Sequence, residues 1–501
     1  MPAAAEGFSW PQGEWASEGV VVVVVGVVVA DVLIKENLFV HVPQHMTVVS
    51  FIESPFPTRT AYRAYLELPP DRQAVALEAA AKREPGIAAS VEAAAKREPV
   101  IAASVAGRGR GLIAQRDLVA DEQVLAVPFD DVWPTAAEVR PQDDWAEDLS
   151  DEACLALWLL RESSLAEAPP PIRASPHASA ISELPQQLDT VLQWSDAEVG
   201  ELRGSCFFQM AEGFRDETAY EHQLAKNYKA TDADYATFAW AKAVFTSRQV
   251  ELEVESNRVE ARVVPKFDLL NHGGPAACCR FAAEQSGVVV RASRGVGEGE
   301  EVTISYGTLG NGSLLIFHGF VVSPNPYDTV EIVLTLPPLD PARVLLIRAL
   351  EAAAEAANEE EASAEPDGVL SPYQVVADEV DKGGELAVRH NLTAARPLPL
   401  TLLATFRILK LSTAELAGKQ VNALLAPAHS LADAAPDGEI LAMRTCEATL
   451  KCYLANHTTS TEQDRATLAS GVLPARTRMA ITVRLAEKEI LQSAVDGMRV
   501  C

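Results

Sequence analysis

Three short segments of this chain place glycines and polar side chains where core packing alone has no use for them. In the first, Gly107-Arg108-Gly109-Arg110-Gly111-Leu112, alternating glycines let a backbone approach a bound molecule and turn its N–H groups toward a carboxylate or phosphate. A glycine-rich hairpin turn is the other reading. The glycine order is wrong for a dinucleotide fingerprint, and no helix signal follows. In the second, Phe267-Asp268-Leu269-Leu270-Asn271-His272-Gly273-Gly274, an apolar strand runs into Asn-His and a tight turn. Asn271 can satisfy an adenine edge or cap a turn, and His272 can act as acid, base, ligand or structural hydrogen-bonding group. In the third, GEGEEVTISYG at 297–307, a turn feeds a strand ending in Ser305-Tyr306-Gly307. That ending can hold a phenolic hydroxyl in a pocket to orient a nucleophile or ease a proton transfer, or it can simply pack a ring.

The elements around these segments have their own signals. GRGRGLIAQRDLVADEQVLAVP at 107–128 alternates apolar residues after its glycines and ends in proline, which predicts a glycine turn followed by paired strands. Residues 145–262 read as mainly helical, with apolar positions three and four apart around LALWLL and ATFAWAKAVF, interrupted by a proline-rich loop at 169–185. Strands are expected again at 263–306, in VVPKFDLL, GVVVRAS and EEVTISY, and after about Pro324 the chain reads as helical. An Ala/Glu-rich stretch at 349–366 is expected as a solvated helix or a loop. Upstream, EAAAKREPGIAASV at 78–91 returns as EAAAKREPVIAASV at 92–105. Two copies are too few for a solenoid, and helix-forming runs broken by Pro85 and Pro99 predict two short helices acting as a spacer.

Composition narrows the function classes. A length of 501 residues predicts two to four domains, and 48% hydrophobic against 22% charged residues predicts that most of the chain is globular. With 42 basic and 70 acidic residues the net charge of -28 repels phosphate backbones, so nucleic acid is not an expected partner and a neutral or basic protein is. Seven cysteines without a CxxC pair or a Cys/His cluster predict a reducing, intracellular compartment and no structural metal. Cys278 and Cys279 are expected as packed thiols. The run Val20–Val29 is far shorter than the roughly 20 apolar residues that span a bilayer, and Glu6, Glu14 and Glu18 precede it. A buried strand is expected there, with no membrane span and no secretory leader. Chloroplast, cytosol and nucleus all stay open as locations.

The order and spacing of the three segments resemble the SET domain, in the branch typified by the Rubisco large-subunit lysine methyltransferases and the actin histidine methyltransferase. The resemblance runs through GRGLIAQRDL at 109–118, VLAVP at 124–128, TSRQ at 246–249, DLLNH at 268–272, GEEVTISYG at 299–307, and Asn311 with SLLIFHGF at 313–320. It continues through PLPLTLLATFRI, LKCYLANHTTSTEQD and RMAITVRLAEKEIL, which look like the branch's C-terminal substrate-binding helices. It implies an α+β chain: a β-rich SET fold at 106–323, pseudoknotted near Asn271-His272 and Tyr306 and split by a helical insert at about 140–262. An all-helical substrate-binding domain at 324–501 follows, and residues 1–105 form an N-terminal extension.

The resemblance further implies S-adenosyl-L-methionine as cofactor, no metal, and a protein acceptor gripped by the C-terminal helical domain of a monomer. Position by position, Gly109, Arg110, Gly111, Leu112, Glu122 and Val124 would meet the methionine moiety and Arg248 would hold its carboxylate. Asp268, Asn271 and His272 would line the cofactor, His318, Gly319 and Phe320 would close over its adenine side, and Tyr306 would be the catalytic tyrosine. In the actin histidine branch an asparagine follows the matching Arg-Gln and bonds the target imidazole. Val250 stands here, offering no donor or acceptor, so the implied substrate pocket of Val250 and Tyr306 favours lysine, with histidine as the alternative. A catalytically silent SET-fold binding module is a further alternative. The cysteine-rich zinc elements of many histone enzymes are missing. Three features depart from the branch: DVLIKENLFVHVPQHMTV at 31–48 looks like a partial second copy of the segment at 117–128, His318 stands where small residues are common, and Gly273-Gly274 makes a flexible turn.

Overall fold

The computed structural model describes residues 99–166, 177–254, 258–361, 386–416, 420–425 and 437–499; the valine run, the segment at 31–48 and both EAAAKRE runs lie outside the described residues. Pro99 ends the helix-forming run before it, and the VIAASV that follows is a strand, β1 (Val100–Val105). β-Branched residues at both ends of that segment favour the extended chain. It turns through Gly107 at φ 73° into β2 (Gly109–Ala114), with Val105 opposite Gly109 and Ala103 opposite Gly111. The glycine segment is therefore a hairpin whose first arm, Val100–Val105, belongs to the repeat, which moves the expected edge of the fold from 106 toward Pro99.

β3 (Gln123–Pro128) leads into the helical insert, α1 (Asp151–Ala166), α2 (Cys206–Asn227) and α3 (Tyr235–Arg248). Ser205 caps α2 by accepting from the Phe207 N–H at 3.1 Å, and Asp234 caps α3 by accepting from that of Thr237 at 2.9 Å. The insert ends at Arg248, short of 262, because QVELEV and RVEARV alternate with period two and pair as a ribbon of β4 (Gln249–Val254) and β5 (Arg258–Val263). VVPKFDLL is not a strand. Pro265 has no N–H for a ladder, Lys266 takes a left-handed φ of 71°, and Phe267–Leu269 is a 3-10 turn. Only Asn271–His272 extends, as β6. β7 (Cys279–Glu284), β8 (Gly287–Ala292) and β9 (Glu301–Ile304) follow.

Beyond Pro324 the chain is largely helical, with one correction. β10 (Thr329–Leu336), α4 (Arg343–Glu361) and β11 (Leu386–Thr393) come first, and the two strands pair antiparallel from Thr329 opposite Thr393 to Leu336 opposite Leu386. The Ala/Glu-rich stretch begins as part of α4, where Ala349, Leu350 and Ala353 are buried. Then come α5 (Leu400–Ile408), α6 (Asp437–Asn456), α7 (Thr461–Ala469) and α8 (Ala475–Arg499).

Contacts divide the chain into two compact units. The first comprises residues up to Asp130, Glu253–Asn257 and Lys266–Ser305. It holds a four-stranded sheet, order β1-β2-β9-β6, in which β6 runs parallel to β9 with Asn271 opposite Thr303 and His272 opposite Ile304. A second sheet, order β3-β8-β7, buries Val288, Val289 and Val290 of its central strand.

The second unit comprises Asp131–Leu252, Arg258–Pro265 and Tyr306–Cys501. In it, α1 and α3 pack around Trp133, Trp158, Phe238 and Phe245. Another core joins Trp194 and Leu202 of the insert to Leu315, Ile316 and, from α8, Ala480 and Val483. Further along α8, Ile490, Leu491 and Val495 pack with β10, α5 and α6. The core around Trp194, Leu202 and Leu315 thus takes residues from both sides of the expected boundary at 323/324. Buried charges fix α8 as well: Asp464 accepts from Arg484 Nε at 2.9 Å and from Lys488 Nζ at 2.5 Å. Burial works against the Asp464 carboxylate, but these hydrogen bonds outweigh it and hold its pKa below the usual value.

A chain begun at Pro99 keeps β1, whereas one begun at Gly107 leaves an edge of β2 uncovered. The shorter chain is expected to melt at least about 5 °C lower by circular dichroism; equal melting would return the boundary to 106.

Candidate active site

In the first unit the site begins with β6, whose two residues make few backbone bonds of their own. The Gly273 N–H donates to the Ile304 carbonyl at 2.8 Å, extending the pairing by one residue. The side chain of Asn271 contributes more: Nδ2 donates to the Arg110 carbonyl of β2 at 3.0 Å and to Glu301 Oε1 at 2.7 Å. Room for this pair exists because residue 111 is glycine. A Cβ there would lie 2.7 Å from Val105 Cγ2, 2.9 Å from Asn271 Nδ2 and 3.0 Å from Glu301 Oε1. Arg108 pairs with Glu301 Oε2 at 2.7 Å and also donates to the His272 carbonyl, while Arg110 pairs with Asp268 at 3.0 Å. Gly109, Arg110, Gly111 and Leu112 are thus brought together with Asp268, Asn271 and His272.

Glu122 and Val124 are placed otherwise, at the β3–β8 pair. The Glu122 carboxylate accepts from the Val119 N–H at 2.9 Å and pairs with Arg116 at 2.6 Å, and its carbonyl accepts from Ala292 at 3.0 Å. Val124 is buried at the register shift between Gln123 and Leu125. Arg108 and Glu301 were not singled out from the sequence. Their signal was charge: an arginine between two turn glycines, and an acid starting the strand that ends beside Tyr306.

In the second unit a separate cluster gathers on Ser247, in the last turn of α3. Its hydroxyl donates to the Ala243 carbonyl at 2.6 Å and accepts from Arg248 Nη1 at 2.7 Å. Its carbonyl lies 3.3 Å from His318 Nδ1, so this nitrogen carries the proton. Burial pushes the His318 imidazole below its usual pKa and Arg248 adds to this, against the Ser247 hydrogen bond, which keeps the ring neutral. The Tyr306 ring lies 5.3 Å from that of His318 and edge-on to Phe320 at 6.1 Å. Val250 is half-buried, the second residue of β4.

The turn carrying His318 is a π-helical segment, Leu314–His318, a form enriched at functional sites. It closes on Gly319 at φ 77°, where a Cβ would lie 2.5 Å from the Asp189 carbonyl carbon and 2.7 Å from the Thr190 nitrogen. Buried Asn311 holds its start, donating to the Val322 carbonyl at 2.8 Å and Asp328 at 2.9 Å while accepting from the Val322 N–H at 2.7 Å. Arg248, Tyr306, His318, Gly319 and Phe320 thus form one cluster. Among the described residues no group of three or more His, Cys, Asp or Glu side chains is placed to hold a metal ion, and no helix is long and apolar enough to cross a membrane. Cys278 and Cys279 are buried, the Cys278 sulfur accepting from the Thr303 N–H at 3.2 Å.

Residues 109–307 match the SET domain model and residues 379–491 the Rubisco LSMT substrate-binding model. Residues 109–307 thus carry a SET domain, and the region at 379–491 follows it in the same chain. The chain is 25% identical over 415 residues to the actin-histidine N-methyltransferase of Danio rerio and 24% identical over 419 residues to that of Homo sapiens. Each match covers 78% of this chain, which spans 64% of the relative's length. The SET domain of LSMT bound to lysine and AdoHcy superposes with a TM-score of 0.60 at 22% identity, covering 80% of this chain and 87% of that one. Rubisco LSMT bound to AdoMet gives 0.59 at 22%, covering 81% and 88%. At such identity the likeness is one of fold.

Gly111→Ala is expected to lower the unfolding free energy by about 1–3 kcal/mol through overpacking. Gly213→Ala, on α2 where a Cβ meets nothing within 4 Å, should leave it unchanged or raise it by about 0.5–1 kcal/mol. Denaturant titration compares the two, and an unchanged Gly111→Ala midpoint would remove the steric argument.

Proposed function

We propose that this chain transfers a methyl group from S-adenosyl-L-methionine to a side-chain nitrogen of another protein, which the region at 379–491 helps to grip. The carrying observation is the cluster on Ser247, where Arg248 and His318 are both anchored and Tyr306 and Phe320 lie against His318. These residues fit the cofactor. A guanidinium offers paired donors to a carboxylate, and aromatic faces accept an adenine. Neutral His318 adds no positive charge beside a sulfonium. In the SET sheet, taken by itself, the Asn271 carboxamide is a second polar group held in place, by the Arg110 carbonyl and Glu301. When bound, the cofactor supplies a methyl group already activated on a sulfonium.

What remains for the protein is positioning and the exclusion of water. A lysine amine has an ordinary pKa of about 10.4, so a dry surround that disfavours its charged form helps to present the neutral nucleophile. Tyr306 orients the nitrogen through its hydroxyl.

For the acceptor, Val250 favours lysine: an aliphatic stem gains an apolar neighbour, whereas an imidazole finds no hydrogen-bonding side chain there. Histidine is the second reading, and similarity favours it, because the curated relatives matched over 78% of this chain are actin-histidine N-methyltransferases.

Tyr306→Phe is expected to lower the methylation rate by about 100- to 10,000-fold with cofactor affinity within a few-fold. A variant keeping more than about half the activity would exclude Tyr306 from catalysis. Incubation with labelled cofactor and a cell extract, followed by mass spectrometry, reads the acceptor. The Val250 argument expects lysine, histidine alone would decide for the second reading, and Val250→Asn should move the product ratio toward histidine.

A further inference from the structure

The orientation of the Asn271 carboxamide can be read from its partners. The atom facing both the Arg110 carbonyl, at 3.0 Å, and Glu301 Oε1, at 2.7 Å, must be the donor Nδ2, since both partners are acceptors. Oδ1 is thereby fixed as the acceptor, and among the described residues no donor takes it. Of the two bonds that set this orientation, the one to Glu301 is shorter and runs to a carboxylate. A carboxylate pulling on the N–H₂ end polarises the amide and makes its oxygen a stronger acceptor.

Glu301 is built for that purpose. Its side chain is only 14% exposed at the start of β9, and its two oxygens are divided, Oε1 to Asn271 and Oε2 to Arg108 at 2.7 Å. Arg108 also donates to the carbonyl of His272, the residue paired next on β6. Gly111 leaves space for the carboxylate and carboxamide to meet. We infer that Glu301 is a positioning residue for the cofactor, acting through Asn271, whose Oδ1 it orients toward an N–H or ammonium donor of the bound molecule. The inference rests on the methyltransferase reading above.

A double-mutant cycle tests it on the full chain, with S-adenosyl-L-homocysteine as the titrated ligand in calorimetry and thermal melts alongside. In the wild-type background Glu301→Ala should weaken binding by about 10-fold, and in the Asn271→Ala background by less than about twofold, since the group it orients is already gone. Glu301→Gln, which keeps an acceptor for Nδ2, should stay within about threefold of wild type. If Glu301 merely holds the sheet together, melting falls but the loss of affinity is the same in both backgrounds, and the inference is overturned. Should Glu301→Ala not fold, Glu301→Met keeps the volume without the acceptor and carries the same cycle. A wild-type chain that does not bind the ligand overturns the methyltransferase reading together with this inference; wild-type binding with additive costs overturns this inference alone.

Discussion

A parallel ladder of two residues has too few backbone bonds to fix a strand, yet β6 carries Asn271 and His272 beside β9. Side chains make up the difference. The Asn271 carboxamide ties β6 to β2, Arg108 takes the His272 carbonyl, and the Cys278 sulfur receives the Thr303 N–H of the facing strand. Each of these demands something of a distant position. Residue 111 must lack a side chain, residue 301 must accept, and the hairpin from β1 to β2 must bring Arg108 within reach. The chemistry-bearing edge of the SET sheet is therefore held by side chains that the ladder alone does not dictate.

In the other unit the corresponding anchor is a backbone carbonyl. Ser247 offers its carbonyl to His318 and its hydroxyl to Arg248. The left-handed Gly319 and buried Asn311 then fix the two ends of the turn that delivers the imidazole. Because that imidazole is neutral, one face of the ring cluster is polarisable without being charged, a condition suited to a ligand that is itself a cation.

Much of this could be read from residue order. Alternating glycines announced the hairpin, Ser305-Tyr306-Gly307 does follow a strand, and the helical reading of 145–262 holds as α1, α2 and α3 as far as Arg248. What escaped was decided by context. QVELEV and RVEARV followed a long helical pattern and were absorbed into it, although their period had changed to two. β10 and β11 are separated by more than forty residues, so no short turn joins them, and their pairing is a long-range event. Glu122 stands among the residues expected to meet the cofactor through backbone, and its carboxylate pairs with Arg116, a local ion pair that sequence spacing does not announce. Glu301 was hidden in an acidic run in which only its inward-facing neighbours single it out.

α8 lends its apolar residues to two separate cores, Ala480 and Val483 to one and Ile490, Leu491 and Val495 to the other. Its middle is pinned by Arg484 and Lys488 on a shared carboxylate. Free energy stored in either core is therefore felt by the same helix, and neither core can open far without loosening the other. The insert and the C-terminal helices are thereby expected to unfold together, with the amides of α8 among the slower to exchange.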